Sequence, residues 1–229
     1  MTLAVVVVAA GRGRRLGGER PKALIEVAGA PLLTHALRRV AELAPTRCVV
    51  VHTPGYDDEF RAACEDVAVD ALVAGGDTRL ESVTAGVRAA GSDLEMVAIH
   101  DAARAFTPAD VMRAAVAAVE EGAVAAAPGV PVADTLKDVR EGEVIGTVPR
   151  DTLWAVQTPQ VFRRSVLVAA LEAGPSEGVT DDLSLVEHAR DAGLVSGEIV
   201  LVRGSARARK VTYREDLELA ELLAVRGER

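Results

Sequence analysis

Arg12, Arg14, Arg15, Arg20 and Lys22 put five positive charges into eleven residues, opposed only by Glu19. Gly11, Gly13, Gly17 and Gly18 break the same stretch. Glycine lets a backbone turn sharply and come close to a ligand. Cations this crowded repel one another unless a polyanion or carboxylates neutralise them, so the loop reads as a cradle for polyphosphate. A solvated arginine-rich loop is the plain alternative. Two familiar phosphate loops do not fit. A dinucleotide fingerprint needs glycine where Leu16 stands, and the Gly-Lys-Ser/Thr ending of a nucleoside-triphosphatase loop is missing.

Three further stretches carry charge or glycine in patterns that could serve a ligand. Gly75-Gly76-Asp77 gives a backbone that a base or ribose could approach closely, or merely a turn before a helix. His100-Asp101-Ala102-Ala103-Arg104 pairs a carboxylate with a cation three residues later. That is either a metal-coordinating acid beside a phosphate-binding arginine, or a local ion pair. Arg203, Arg207, Arg209, Lys210 and Arg214 form a second basic run. With only Tyr213 interleaved and a net charge of −8, nucleic acid is excluded as a partner. His35, His52, His100 and His188 show no ligand spacing. Cys48 and Cys64 make neither a disulfide framework nor a metal pattern, and Cys48 lies in the apolar run Cys48-Val-Val-Val51, as a buried thiol would.

The elements that must hold these residues alternate regularly. Val5 to Val8 are branched and apolar, which suits a strand covered on both faces. Strands are expected over 48–51, 69–74, 96–99, 124–127 and 199–202, with a short one over 208–211. Helices are expected over 31–43, 57–65, from Leu80 onward, 163–173, 181–192 and 216–226. Thr107-Pro108 reads as a cap and first-turn proline opening a helix to Glu121. Hydrophobic residues reach 49% while aromatics are only 3%, so the core must be Val, Leu and Ala. This rhythm predicts one α/β domain over residues 1–229, a mostly parallel, doubly wound, Rossmann-like sheet. In such sheets ligands lie beyond the carboxyl ends of the strands, where the Gly11 loop, Gly75-Gly76-Asp77 and Asp101 to Arg104 all fall. Between 131 and 160 the rhythm breaks into a hairpin, a protruding β-arm. A lone ribbon is marginal in water, so the arm should pack on a second subunit. The apolar run at Leu3 to Ala10 is too short for a signal peptide and lacks preceding cations. No stretch approaches a membrane span, so no membrane partner and a cytoplasmic location are expected.

Taken in order, the motifs resemble those of the 2-C-methyl-D-erythritol 4-phosphate cytidylyltransferases of the non-mevalonate isoprenoid pathway. The resemblance runs through Ala9-Ala-Gly-Arg-Gly-Arg-Arg15 with Pro21-Lys22, Gly75-Gly-Asp77-x-Arg79-x-x-Ser82-Val, and His100-Asp-Ala-Ala-Arg104. It continues with Val132-Ala-Asp134-Thr135-x-Lys137, Arg150, Leu153-Trp154-x-x-Gln-Thr158-Pro-Gln160, Thr180-Asp-Asp182 and Lys210-Val-Thr212. It implies a nucleotidyltransferase fold and transfer of CMP from CTP to methylerythritol phosphate, with Mg2+ or another divalent cation. It further implies Arg15, Lys22 and Lys210 as catalytic cations. Nucleotide contacts would come from Ala9, Ala10, Gly11, Gly76, Asp77, Ser82, Asp101 and Ala102, with Asp101 also the metal ligand. Arg104, Thr135, Arg150 and Thr158 would grip the sugar-alcohol phosphate, the last three on or beside an arm that forms a homodimer. Ala105, Pro149 and Ala208-Arg209 depart from the pattern. Ribitol 5-phosphate cytidylyltransferases share most of the motifs, and a nucleotide-binding oxidoreductase or a non-catalytic binding protein is the more remote alternative.

Overall fold

The structure, a computed structural model, describes residues 1–11, 13, 20–174 and 179–227. β1 (Leu3–Val8) is followed by the two-residue strands β2 (Glu26–Val27) and β3 (Ala30–Pro31), then α1 (Leu32–Ala41), β4 (Arg47–His52) and α2 (Asp57–Ala63). Next come β5 (Ala71–Ala74), α3 (Arg79–Ala89), β6 (Met96–Asp101), α4 (Ala109–Glu120) and β7 (Ala125–Pro131). β8 (Leu136–Arg140) and β9 (Glu143–Val148) form the arm, after which β10 (Trp154–Val156) and β11 (Gln160–Arg163) return to the main sheet. The chain closes with α5 (Arg164–Ala173), α6 (Asp182–Asp191), β12 (Ile199–Arg203) and α7 (Arg214–Gly227).

β1 runs through the middle of the sheet, parallel to β4 on one side and to β6 on the other. β5 extends the sheet parallel to β4, and β12 lies parallel to β7 at the opposite edge. β11 joins the two halves, antiparallel to both β6 and β7, while β10 continues along β7. The sheet is therefore mostly parallel, as the rhythm predicts, with one antiparallel insertion that the rhythm does not show.

Alternation along β1 divides the core. Leu3, Val5 and Val7 face one layer with Leu33, Leu37, Phe60, Ala115 and Val119 from α1, α2 and α4. Ala4 and Val6 face the other, with Val83, Val87, Leu167 and Leu185 from α3, α5 and α6. Both faces are covered, which is why the strand reads as an unbroken valine run.

Three local expectations need correction. Residues 206–208 form a 3-10 turn, not part of a strand over 208–211: Ala208 N–H donates to Ser205 O at 3.0 Å and Ser205 Oγ accepts from Arg207 N–H at 3.2 Å. α4 starts at Ala109 with Pro108 in the cap position, and the Thr107 hydroxyl donates to Arg104 O instead of capping. The arm proper is narrower than 131–160, since Pro131, Trp154 to Val156 and Gln160 belong to the main sheet. Among the described residues, β8 and β9 pair only with each other.

Gly86 marks where α3 meets the sheet. A Cβ there would collide with the Val6 side chain and stand 2.7 Å from Val51 Cγ2. Alanine would raise helix propensity by about 1 kcal/mol, whereas overpacking a core costs about 1–3 kcal/mol. Gly86→Ala should therefore lower the thermal midpoint by a few degrees, roughly 2–4 °C per kcal/mol in a domain of this size. An unchanged or raised midpoint would contradict this close approach.

Candidate active site

The turns after β1, β5 and β6 line one cleft of about 860 Å3 at the carboxyl edge of the sheet. Ala9, Ala10, Gly11 and Gly13 come from the first turn, Gly75 to Thr78 from the second, and Asp101 to Ala103 from the third, and Lys22, Lys210, Arg79 and Ser82 are also in the lining, with Thr53 and Pro54 after β4. Gly75 is where the first two turns touch. A Cβ there would stand 2.5 Å from Ala10 Cβ and 2.8 Å from Ser82 Oγ, so no side chain fits. Its N–H donates to His52 O at 2.8 Å. The next turn is held by the start of α3. The Glu81 carboxylate accepts from Asp77 N–H at 2.7 Å and Thr78 N–H at 3.1 Å, while Thr78 Oγ1 accepts from Glu81 N–H. This reciprocal cap leaves the helix start rigid. Ser82 Oγ accepts from Gly76 N–H at 3.2 Å.

Asp101 sits at the centre. One carboxylate oxygen accepts from Arg79 at 2.7 Å and the other from Lys210 Nζ, also at 2.7 Å. Arg79 forks, its second nitrogen donating to Asp182 at 2.5 Å. Burial pushes the Asp101 carboxyl up, but Arg79 and Lys210 outweigh it and hold the group well below the usual carboxylate range. Asp182, nearly as buried, goes the other way: burial, helped by Asp101 and Asp181, lifts it to about 6 against the pull of Arg79. Behind Asp101, Thr158 Oγ1 accepts from Asp101 N–H at 3.1 Å and lies 3.1 Å from His100 Nδ1. Burial lowers His100 to about 4, so the ring is neutral in the fold.

The loop carrying Lys210 is tied in from several sides. Val211 N–H donates to Ala103 O at 2.8 Å, and Lys22 Nζ donates to Val211 O at 2.9 Å. Arg104 donates to Ala208 O at 2.8 Å and to Val156 O at 3.2 Å, joining this loop to β10. Asp216 accepts from the N–H groups of Thr212 and Tyr213, both at 2.8 Å, and from Arg209 Nε at 2.7 Å. That capping geometry turns the chain into α7 and explains why no strand forms after Ala208.

The cleft thus gathers Lys22, Lys210, Ala9, Ala10, Gly11, Gly76, Asp77, Ser82, Asp101 and Ala102, all expected from the sequence. Arg15 lies outside the described residues. Arg104, Thr135, Arg150 and Thr158 do not line it. Thr158 is buried behind Asp101, Arg104 bonds backbone carbonyls, and Thr135 and Arg150 are exposed at the root of the arm, Arg150 donating to Ala133 O. Among the described residues no group of three or more His, Cys, Asp or Glu is placed to hold a metal ion. Arg79 and Asp182 have no role expected from sequence. Arg79 carries one signal, a cation directly after a glycine turn, but its partners are 22 and 103 residues away.

A sheet that gathers glycine turns and two lysines around one carboxylate has the architecture of a nucleotidyltransferase. The family model described as IspD, 2-C-methyl-D-erythritol 4-phosphate cytidylyltransferase, matches residues 3–226. The enzyme of that name from Saccharopolyspora erythraea is 43% identical over 96% of this chain and 98% of its own length. Its namesake from Carboxydothermus hydrogenoformans is 37% identical over 98% and 96%. The crystal structure of the Thermus thermophilus enzyme superposes with a TM-score of 0.76 at 33% identity, covering 98% of this chain and all of the other. The chain belongs to the 2-C-methyl-D-erythritol 4-phosphate cytidylyltransferase family.

The opposed shifts of His100 and Asp182 have a measurable consequence. A buried neutral imidazole binds fewer protons than an unfolded one, so its contribution is complete above 6.5 and is lost as pH falls toward 4. A carboxyl held near 6 binds more protons when folded, so stability gains as pH falls from there toward 3.8. The two largely cancel in the wild type. Asp182→Asn removes the second, so from neutral pH to about pH 4.5 the variant should lose about 2 kcal/mol more stability than wild type. Thermal melts at the two pH values test this; parallel pH slopes would contradict it.

Proposed function

We propose that the protein transfers CMP from CTP to 2-C-methyl-D-erythritol 4-phosphate, giving 4-diphosphocytidyl-2-C-methyl-D-erythritol and pyrophosphate, in isoprenoid precursor biosynthesis. Beyond family membership, one observation carries the reading: a single cleft joins two glycine turns to Lys22 and Lys210 around Asp101. We assign the reaction to the cytoplasm, where a free nucleoside triphosphate pool would supply CTP.

In this reading an oxygen of the methylerythritol phosphate attacks the α-phosphorus in line. The new O–P bond forms as the bond to the β-phosphate oxygen breaks, and the electron pair leaves with pyrophosphate. Negative charge gathers on a crowded phosphorus, so positioning and positive charge matter more than a proton-transfer base. Lys22 and Lys210 supply that charge, joined by Arg15. The turns at Ala9 to Gly11, Gly76, Asp77 and Ser82, with Asp101 and Ala102, hold the nucleotide. Thr135 and Arg150 serve the alcohol phosphate, with Thr158 and Arg104 supporting the wall behind Asp101 through their bonds to Asp101 N–H and to the Ala208 and Val156 carbonyls.

A divalent cation suits this donor set. Asp101 brings one carboxylate to the cleft, and no closed cage of acids stands there among the described residues. Magnesium, which keeps most of its shell as water and phosphate oxygens, needs one or two carboxylates at most. Asp101 would hold it through the lone pairs left beside its bonds to Arg79 and Lys210, and when bound it would neutralise charge on the triphosphate.

We further assign the arm to homodimer formation. Val139, Val144 and Ile145 are each more than half exposed on a ribbon that pairs with no other strand among the described residues. A partner subunit would cover them and bring Thr135 and Arg150 towards its own cleft. Ile145→Asp should then yield monomers in sedimentation and raise the KM for methylerythritol phosphate by about tenfold or more, leaving the KM for CTP nearly unchanged. A dimer of wild-type kinetics would remove the arm from both roles.

The direct test of the reaction is pyrophosphate release with each of four nucleoside triphosphates against methylerythritol phosphate and ribitol 5-phosphate. Turnover is expected only with CTP and methylerythritol phosphate together, and turnover with ribitol 5-phosphate instead would reassign the substrate. In the same assay Lys22→Ala should lower kcat by about 100-fold or more while leaving the protein folded, the scale expected for one preorganised charge donor. Retained activity would exclude Lys22 from the chemistry.

A further inference from the structure

Asp182 lies outside the cleft, on the first turn of α6, and neither the family motif nor the reaction gives it a task. Its surroundings are nevertheless built with care. The preceding Asp181 caps α6, its carboxylate accepting from Ser184 N–H at 2.8 Å and from Gln160 Nε2 at 2.6 Å. Gln160 Oε1 in turn accepts from Leu183 N–H at 2.9 Å, so both sides of Asp182 are pinned to β11. The Asp182 side chain is 4% exposed. It accepts from Arg79 at 2.5 Å.

That contact is one end of a chain of charges: Asp182 to Arg79, Arg79 to Asp101, Asp101 to Lys210, with the last two steps both 2.7 Å. Signs alternate along it, so each group is held by its neighbours and the far end is a cleft lysine. A guanidinium offers a rigid fork whose two arms cannot move independently. With both arms engaged, Arg79 can present only one nitrogen to Asp101, and the other Asp101 oxygen stays with Lys210. Released from Asp182, the fork could turn and take both Asp101 oxygens, a bidentate pairing favoured for arginine and carboxylate. Lys210 would then lose its anchor.

We propose that Asp182 is a positioning residue which, through Arg79 and Asp101, fixes where Lys210 points during transfer. The inference rests on the proposed cytidylyl transfer, because it concerns a cation of that same site. It predicts a loss in the chemical step and not in nucleotide binding. Asp182→Asn, which keeps the shape and removes the charge, should lower kcat by about tenfold or more with the KM for CTP little changed, as for an interaction felt only in the transition state.

The deciding experiment is a double-mutant cycle on kcat, with folding checked by circular dichroism. If Asp182 acts through Lys210, adding Asp182→Asn to Lys210→Ala should cost almost nothing further, since residues acting as a unit are non-additive. A purely structural role would multiply the two losses, and that result would overturn the proposal. So would full kcat in Asp182→Asn, or in Lys210→Ala alone. Should the asparagine variant fail to fold, Asp182→Glu runs in the same cycle. It retains the charge one methylene further out, and it should show a smaller loss that again vanishes in the Lys210→Ala background. Absence of any turnover by the wild-type protein with CTP and methylerythritol phosphate would count against the proposed function itself. Wild-type turnover with multiplying losses would count against this inference alone.

Discussion

One carboxylate holds the cleft together. Asp101 ends β6 with each oxygen bonded to a cation, Arg79 from 22 residues earlier and Lys210 from 109 residues later. Neither cation would be stable facing the other across a partly buried space without that negative charge between them, since removing one member of a buried ion pair strands its partner. The fold keeps Asp101 ionised by surrounding it with positive charge, and that charge outweighs the cost of burial. The result is a site in which positive groups are gathered and ordered before any polyphosphate arrives, the condition under which electrostatic stabilisation is most effective.

Everything beneath Asp101 serves its position. β6 is fixed between β1, which it joins in parallel, and β11, which runs against it. Thr158, just before β11, bonds Asp101 N–H and faces His100. β11 closes the sheet between β6 and β7, and the Thr158 turn that leads into it supplies the back wall of the site. Gln160 extends the same support to the start of α6. An antiparallel strand in a parallel sheet is here the part that links catalytic edge and helix layer.

How much of this could be read from the residues alone differs by element. Valines 5 to 8 and the glycine or acid turns after three strands gave the parallel sheet and the cleft edge, because both depend on local pattern. Ala9 to Gly11, Gly76, Asp77, Asp101 and Ala102 sit within a few positions of strand ends and do line that cleft, while the nucleotide role proposed for them comes from the family resemblance. β10 and β11 were not legible: at three and four residues each, separated by Gln157-Thr-Pro159, they are too short to show a period. Residues 208–211 look like a strand by composition, yet Ala208 closes a 3-10 turn and 209–211 run on without regular structure, flanked by the bonds of Ser205 and Asp216. The Arg79 fork was beyond reach for a different reason. A single arginine in sequence carries no sign of two carboxylates brought to it by separate layers of the fold.

The measurement closest to the centre of this account is steady-state pyrophosphate release by Asp101→Asn, an isosteric change that removes the charge and keeps the shape. Arg79 and Lys210 would lose the anion they share, so kcat with CTP and methylerythritol phosphate should fall by about 100-fold or more. A variant that remains folded and turns over within about threefold of wild type, a difference worth well under 1 kcal/mol, would contradict the claim that this carboxylate organises the site.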